Sequence, residues 1–215
     1  MKTGKYNIAI AGIILLSFAI GIYLYPQMPE LMPSHWNAAG EVDGYMPKPL
    51  TLFLIPVISL ALFGLFLLIP RIDPMKHNIA KFRKYFDRFI LLLMGFFLYI
   101  YLLTILWAFG LTFQFIFAMV PAFSALFYYA GVLTENAKRN WFIGIRTPWT
   151  LSSEKVWDKT HKLGGKLFKL AAIIGLLGLL FQDYAIWIVI IPVIFVAVYT
   201  IFYSYLEFQK ESKHK

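Results

Sequence analysis

His35, Asn37 and Asp43 fall within nine residues of one another, in a stretch interrupted by Pro26, Pro29, Pro33, Pro47 and Pro49. An imidazole beside a carboxylate can move a proton or contribute to a metal site. One imidazole is thin for zinc, and the chain has no cysteine to supply thiolate ligands. No metal and no cofactor is therefore expected, and recognition of a peptide or partner is the preferred role for His35, Trp36, Asn37 and Asp43. Prolines favour extended backbone, and Asp43-Gly44 is the expected tight turn.

A second concentration runs through Asn140, Trp141, Gly144, Arg146, Thr147, Pro148 and Trp149, then Trp157, Thr160 and His161. Gly144 permits a turn, and Pro148 is expected to break any helix. A helix is expected to begin near Ser152 or Ser153, with Glu154 in the first turn facing the positive end of its dipole. On that helix Trp157, Thr160, His161 and Gly164 share one face, and Lys155, Lys159, Lys162 and Lys166 mostly occupy the other. A basic, tryptophan-bearing amphipathic helix is expected to lie flat on the inner leaflet. The loop before it reads either as a packed cap, with Arg146 on backbone carbonyls, or as a docking surface rimmed by basic residues.

The elements that position these residues follow from composition. The chain is 60% hydrophobic and only 14% charged. A soluble domain carries about a quarter charged residues, so this apolar excess must face lipid. Six apolar runs stand out: 7–25, 50–69, 89–107, 112–133, 167–181 and 185–206. Each is near the 20 residues needed to cross about 30 Å of hydrocarbon as a helix. The fifth is short unless its helix begins nearer Gly164. The first is read as a retained anchor rather than a signal peptide, because no small-x-small cleavage site follows it. The expected fold is all-α: one membrane domain over 1–215, a bundle of six transmembrane helices, with an outer loop 26–49 and inner loops 70–88 and 134–166.

Lysine and arginine set the orientation. With the N-terminus inside, nineteen of the twenty basic residues, among them Lys2 and Lys215, fall in inner segments and only Lys48 falls outside. That split accounts for the net charge of +9 without direct nucleic acid binding. A multi-pass cell-membrane protein with both termini cytoplasmic is expected, its basic rim facing anionic lipid. Short connections at 108–111 and 182–184 pair the third span with the fourth and the fifth with the sixth.

The tyrosine-proline opening of the outer loop (Tyr25-Pro26), its His35-Trp36-Asn37 and Asp43-Gly44 elements, and the stretch Gly144-Ile145-Arg146-Thr147-Pro148-Trp149-Thr150 with its continuation to Trp157 and His161 together resemble the SdpI family of bacterial and archaeal membrane proteins. The resemblance extends over nearly the whole chain. It implies immunity to a secreted antimicrobial peptide, and a receptor that holds a winged-helix transcriptional repressor at the membrane when it senses that peptide. On that view the outer loop meets the toxin peptide and the inner loops meet the repressor. The resemblance supplies no catalytic residues, and the chain is not expected to be an enzyme.

Two rival readings stay open. Pro56, Pro121 and Pro192 fall inside spans and can kink them, as in a small transporter or channel. The spans hold no central carboxylate or histidine, which ion-coupled transport usually needs. An intramembrane enzyme would have to work through the outer-loop His35, since no paired aspartate or histidine motif lies in a span.

Overall fold

Most residues of the apolar runs have no route to water-mediated hydrogen bonding, so their backbone groups pair internally as helix. A computed structural model of the protein describes residues 4–213; Lys2 and Lys215, counted above on the basic side, lie outside the described residues. The helices are α1 (Gly4–Leu24), α2 (Lys48–Ile72), α3 (Lys76–Ala108), α4 (Phe115–Asn136), a short α5 (Pro148–Ser152), α6 (Glu154–Gly175) and α7 (Ala185–Ser212). Between α1 and α2 stands a hairpin of β1 (Leu31–Trp36) and β2 (Val42–Pro47), paired antiparallel.

Among the described residues five helices are long and apolar enough to cross a membrane: α1, α2, α3, α4 and α7, each taken with any adjoining turn. Only 22% to 33% of their most apolar windows is buried within the protein. Ile8, Leu15, Phe195 and Phe202 are among the large side chains left outside. A helix that is apolar all round and uncovered by protein needs lipid as its solvent. The protein is therefore an all-α, multi-pass membrane protein with one small β-hairpin. The first half of α6 carries Lys155, Lys159, Lys162 and Lys166, which keeps it outside that hydropathy class.

Helix boundaries differ from the apolar runs in a consistent direction. The inner loop expected at 70–88 is mostly helix: α2 continues through Pro70 to Ile72, and α3 starts at Lys76. Hydropathy marks where lipid ends, whereas charged residues such as Lys81, Arg83 and Lys84 still propagate a helix. At 33 residues α3 runs on the order of 50 Å, and non-helical angles at Phe82 mark a kink. The fifth run is likewise the second half of α6, which is continuous from Glu154 and tightens into a 3-10 turn at Leu176–Leu179.

The helices pack as two groups. In one, α1, α2 and α3 contact one another; in the other, α4, α6 and α7 do, and α3 against α4 joins them. At the end that bears most of the lysines, the basic end, a single apolar cluster crosses the seam. It brings Ile10, Ile69, Ile79, Phe82 and Phe86 against Leu133, Ala137, Ile143 and Trp157. The expected pairings of α3 with α4 and of α6 with α7 are both present.

The α4–α6 contact is close because glycines meet there. A Cβ at Gly131 would lie 2.7 Å from the Gly165 carbonyl oxygen, and one at Gly165 would lie 2.6 Å from the Glu135 Cβ. Without side chains the two backbones approach and gain dispersion contact, the usual device where lipid removes the hydrophobic drive between helices. Lys169 and Glu135 close the same crossing with an ion pair at 2.5 Å. Gly165→Leu is expected to force the helices apart. Its thermal unfolding temperature in detergent should fall by several degrees, since overpacking costs about 1–3 kcal/mol. A wild-type temperature would show that the crossing can relax.

Candidate functional site

Two constellations emerge at opposite ends of the bundle. At the hairpin end, the reversal is made by Asn37 to Glu41 rather than by Asp43-Gly44. The Asn37 side-chain oxygen accepts from the amides of Ala39 and Glu41 at 2.9 and 3.0 Å, and Gly40 takes a φ of +81°. This is an Asx turn, which competes well with Asp-Gly when the following glycine can turn left-handed. Asp43 and Gly44 lie inside β2, and Gly44 pairs with His35. A Cβ at Gly44 would press on the His35 Cβ, so the missing side chain makes room for the imidazole. His35 Nδ1 then sits 2.5 Å from the Asp43 carboxylate, with both groups exposed. Trp36 points the other way, stacked on Phe115 at 3.9 Å and meeting Trp107 edge-on at 6.3 Å. Lys48 ties the hairpin base through Glu30 at 2.9 Å and lies over the Tyr25 ring.

Beneath the hairpin is a cavity of about 500 Å³. Its roof includes Ser34, His35, Trp36 and Asn37. Its walls come from α2, α3, α4 and α7 and are mainly aliphatic and aromatic. The hairpin thus roofs the seam between the two helix groups, at the end where the core cluster of the basic end does not reach. His35, Trp36 and Asn37 converge on this cavity; Asp43 reaches it through His35.

At the basic end, the segment between α4 and α6 wraps around Asn140, which is fully buried. Its side-chain nitrogen donates to the carbonyls of Lys138 and Ile143, both at 2.8 Å, and its oxygen accepts from the amides of Phe142 and Ile143. All four hydrogen-bonding positions of the amide are used. His161 fixes the next turn. Its Nε2 accepts from the Ile145 amide at 2.9 Å, so its proton is on Nδ1, which donates to the Trp157 carbonyl. Its ring stacks on Trp157 at 3.8 Å, and the Trp157 indole donates to the Ala137 carbonyl at 2.8 Å. Gly144, at φ +108°, passes so close that a Cβ would overlap His161 Nε2.

Pro148 does not break a helix here; it starts one. Thr147 caps α5 in a capping box with Thr150, and proline occupies a first-turn position where its missing N–H costs nothing. The Thr147 hydroxyl also hydrogen-bonds with Ser204 of α7 at 3.0 Å, and Ser204 donates to the Ile201 carbonyl at 2.7 Å. Trp149 packs on Tyr205 at 5.1 Å. Arg146 donates to the Trp141 carbonyl at 2.8 Å, as a packed cap requires.

The helix expected to lie flat on the leaflet instead packs into the bundle. Trp157, Thr160 and His161 are buried, because their shared face meets the 137–147 segment and α4 rather than a membrane surface. Asn140 and Thr147 are buried too, so the exposed part of the motif is Trp141, Phe142, Gly144, Arg146 and Pro148. Asp73 was not singled out from the sequence, yet it is buried and spans the seam. Its carboxylate accepts from the Met75 amide at 2.6 Å and from the Trp141 amide at 2.9 Å. Beside it Asn78 donates to the Arg139 carbonyl at 2.8 Å. An aspartate directly before a proline in a mainly basic segment was the available signal.

Burial drives the His161 imidazole down from the ordinary 6.5 to about 4. The unfolded chain binds that proton at a higher pH than the folded one. His161 therefore favours folding fully above pH 6.5, and that contribution fades as pH falls towards 4, by on the order of 3 kcal/mol. His161→Gln, neutral throughout, should remove this part of the slope in unfolding measured between pH 7 and pH 4; an unchanged slope would assign it to other groups. Asn140→Asp replaces two donors with acceptors facing carbonyls. Its melting temperature should fall more than that of Asn140→Ala, each buried unpaired group costing about 1–3 kcal/mol.

Residues 136–204, which hold this segment, α6 and part of α7, match the SdpI/YfhL protein family. Residues 12–60, which hold the hairpin, match a domain of unknown function, DUF1648. The chain is 29% identical over 207 residues to the immunity protein SdpI of Bacillus subtilis (strain 168), covering 96% of this chain and 97% of that protein. No solved structure matches.

Proposed function

From a chain that resembles the SdpI family at both constellations, we propose an SdpI-like immunity protein that protects its cell from a secreted antimicrobial peptide, with the hairpin end as the recognition surface. The observation that carries this reading is the match to an immunity protein over 96% of the chain, which takes in both the hairpin and the basic-end segment. The hairpin supplies a physical means. It presents His35 and Asp43 to solvent while Trp36 anchors it on Phe115.

The topology proposed with it has six crossings within one membrane domain, both termini cytoplasmic, the hairpin outside and the basic end inside. Support for α6 as a crossing is its full-length antiparallel run beside α7. It extends from Ser153 on Glu211, through Lys159 on Glu207, to Gly175 against Val189. Nineteen of twenty basic residues then face the cytoplasm.

Exposed Trp141 and Phe142 beside Arg146 favour a second role for the inner end, docking a cytoplasmic protein such as a winged-helix repressor. The buried Trp157 and His161 would support that surface without touching the partner.

Expression in a peptide-sensitive host followed by challenge with secreted membrane-active peptides tests the main reading. Wild type should confer protection. Trp36→Ala, which removes a stacking contact worth about 1 kcal/mol beyond its area, should lose it at unchanged membrane abundance. Equal sensitivity of host and expressing strain to every peptide would remove the immunity assignment. For the inner role, capture of a repressor from cytosol should fall with Arg146→Ala and Trp141→Ala.

A further inference from the structure

The cavity under the hairpin has one side without protein. Its walls include Leu54 of α2 and Trp187 and Ile190 of α7, yet among the described residues α2 and α7 share at most marginal contact. Leu54 and Trp187 are also largely uncovered, at 43% and 52% exposure. The gap between α2 and α7 therefore faces the hydrocarbon of the membrane, and an apolar chain can enter sideways without crossing water.

The roof has the opposite character. Two of its polar side chains each hand on to a carboxylate: His35 to Asp43 at 2.5 Å, and Asn37 to Glu41 at 3.0 Å. Neither carboxylate is paired with a lysine or arginine among the described residues, and Lys48 is committed to Glu30. The segments at this end carry Glu30, Glu41, Asp43 and Asp183 against Lys48 alone, a net negative surface on a chain that is strongly basic overall. The Trp36 indole N–H, in the same roof, is buried and has no acceptor.

We propose that this cavity is a lateral binding site for a cationic amphiphile, whose apolar segment enters between α2 and α7 while its positive group meets Asp43 and Glu41. An apolar chamber whose roof residues His35 and Asn37 are each backed by an unneutralised carboxylate selects for that combination. An anionic lipid would be repelled at the roof, and a soluble cation would gain nothing from the walls. The proposal rests on the reading of the hairpin as the outer recognition surface, and it gives the attacking peptide a chemical class: cationic at one part and membrane-inserted at another.

The test uses the full chain in nanodiscs of zwitterionic lipid and a bromine-bearing dodecyl chain carrying either a trimethylammonium or a sulfate head. Bromine quenches nearby tryptophan, and Trp36 and Trp187 line the cavity. Saturable quenching by the ammonium reagent is expected, with half-saturation about tenfold below that of the sulfate. In Glu41→Gln/Asp43→Asn, both surface changes, the preference should shrink to about twofold. Leu54→Phe/Ile190→Phe narrows the gap on the lipid-facing side and should raise the half-saturation about tenfold. Quenching that only tracks partitioning into the lipid, equal response to the two heads, or indifference to the gap variant would overturn the proposal. The assay contains neither toxin nor host. Its failure would leave the protection experiment standing, and failure of protection would leave binding here unaffected.

Discussion

The two helix groups are held together by a buried polar seam at the basic end, and the rest of the architecture depends on it. Within lipid, apolar helices gain little from touching each other rather than acyl chains. What distinguishes the right partner is an unmet backbone group that only that partner can satisfy. Asp73 meets the Trp141 amide and Asn78 meets the Arg139 carbonyl, each from the first group to the second. The Asn140 amide, fully used within its own segment, holds that segment in the shape those bonds require.

That seam explains why the polar chemistry of the basic-end motif is mostly inside. Trp157, His161, Thr147 and Thr150 spend their polar atoms on the backbone of the 137–150 segment and on Ser204. Even the glycine at 144 is explained by the imidazole that fills the space beside it. The motif is a clasp that fixes α6 against α4, and its exposed remainder is an edge that includes Trp141, Phe142 and Arg146.

The hairpin end is built differently. There α3 and α4 still meet through Leu103, Phe115 and Met119, and the hairpin covers the cavity between the groups, tied down by Trp36 on α4 and by Lys48 at its base. A hydrogen-bonded junction at one end and a roofed cavity at the other are the frame on which the proposed lateral site rests. The match to an immunity protein includes both parts of that frame.

The long apolar runs by themselves determined that the chain is helical and lies in lipid, because composition alone leaves it too little polar surface for water. The concentration of basic residues between those runs was equally legible, as was Ser153 capping the helix that begins at Glu154, a contact between near neighbours. Tertiary structure decided the rest. An amphipathic helix with tryptophan and lysine faces reads the same whether it meets a leaflet or a protein, and only α4 and the 137–147 segment turned Trp157 and His161 inward. The reversal at Asn37 rather than Asp43-Gly44 is local, an Asx turn with Gly40 left-handed, but two competing local turn signals were resolved only by the strand pairing that put Asp43 and Gly44 inside β2. The cavity was invisible in the sequence for the same reason. Its walls come from four helices far apart in the chain, and no spacing rule relates positions that meet only when two helix groups pack together.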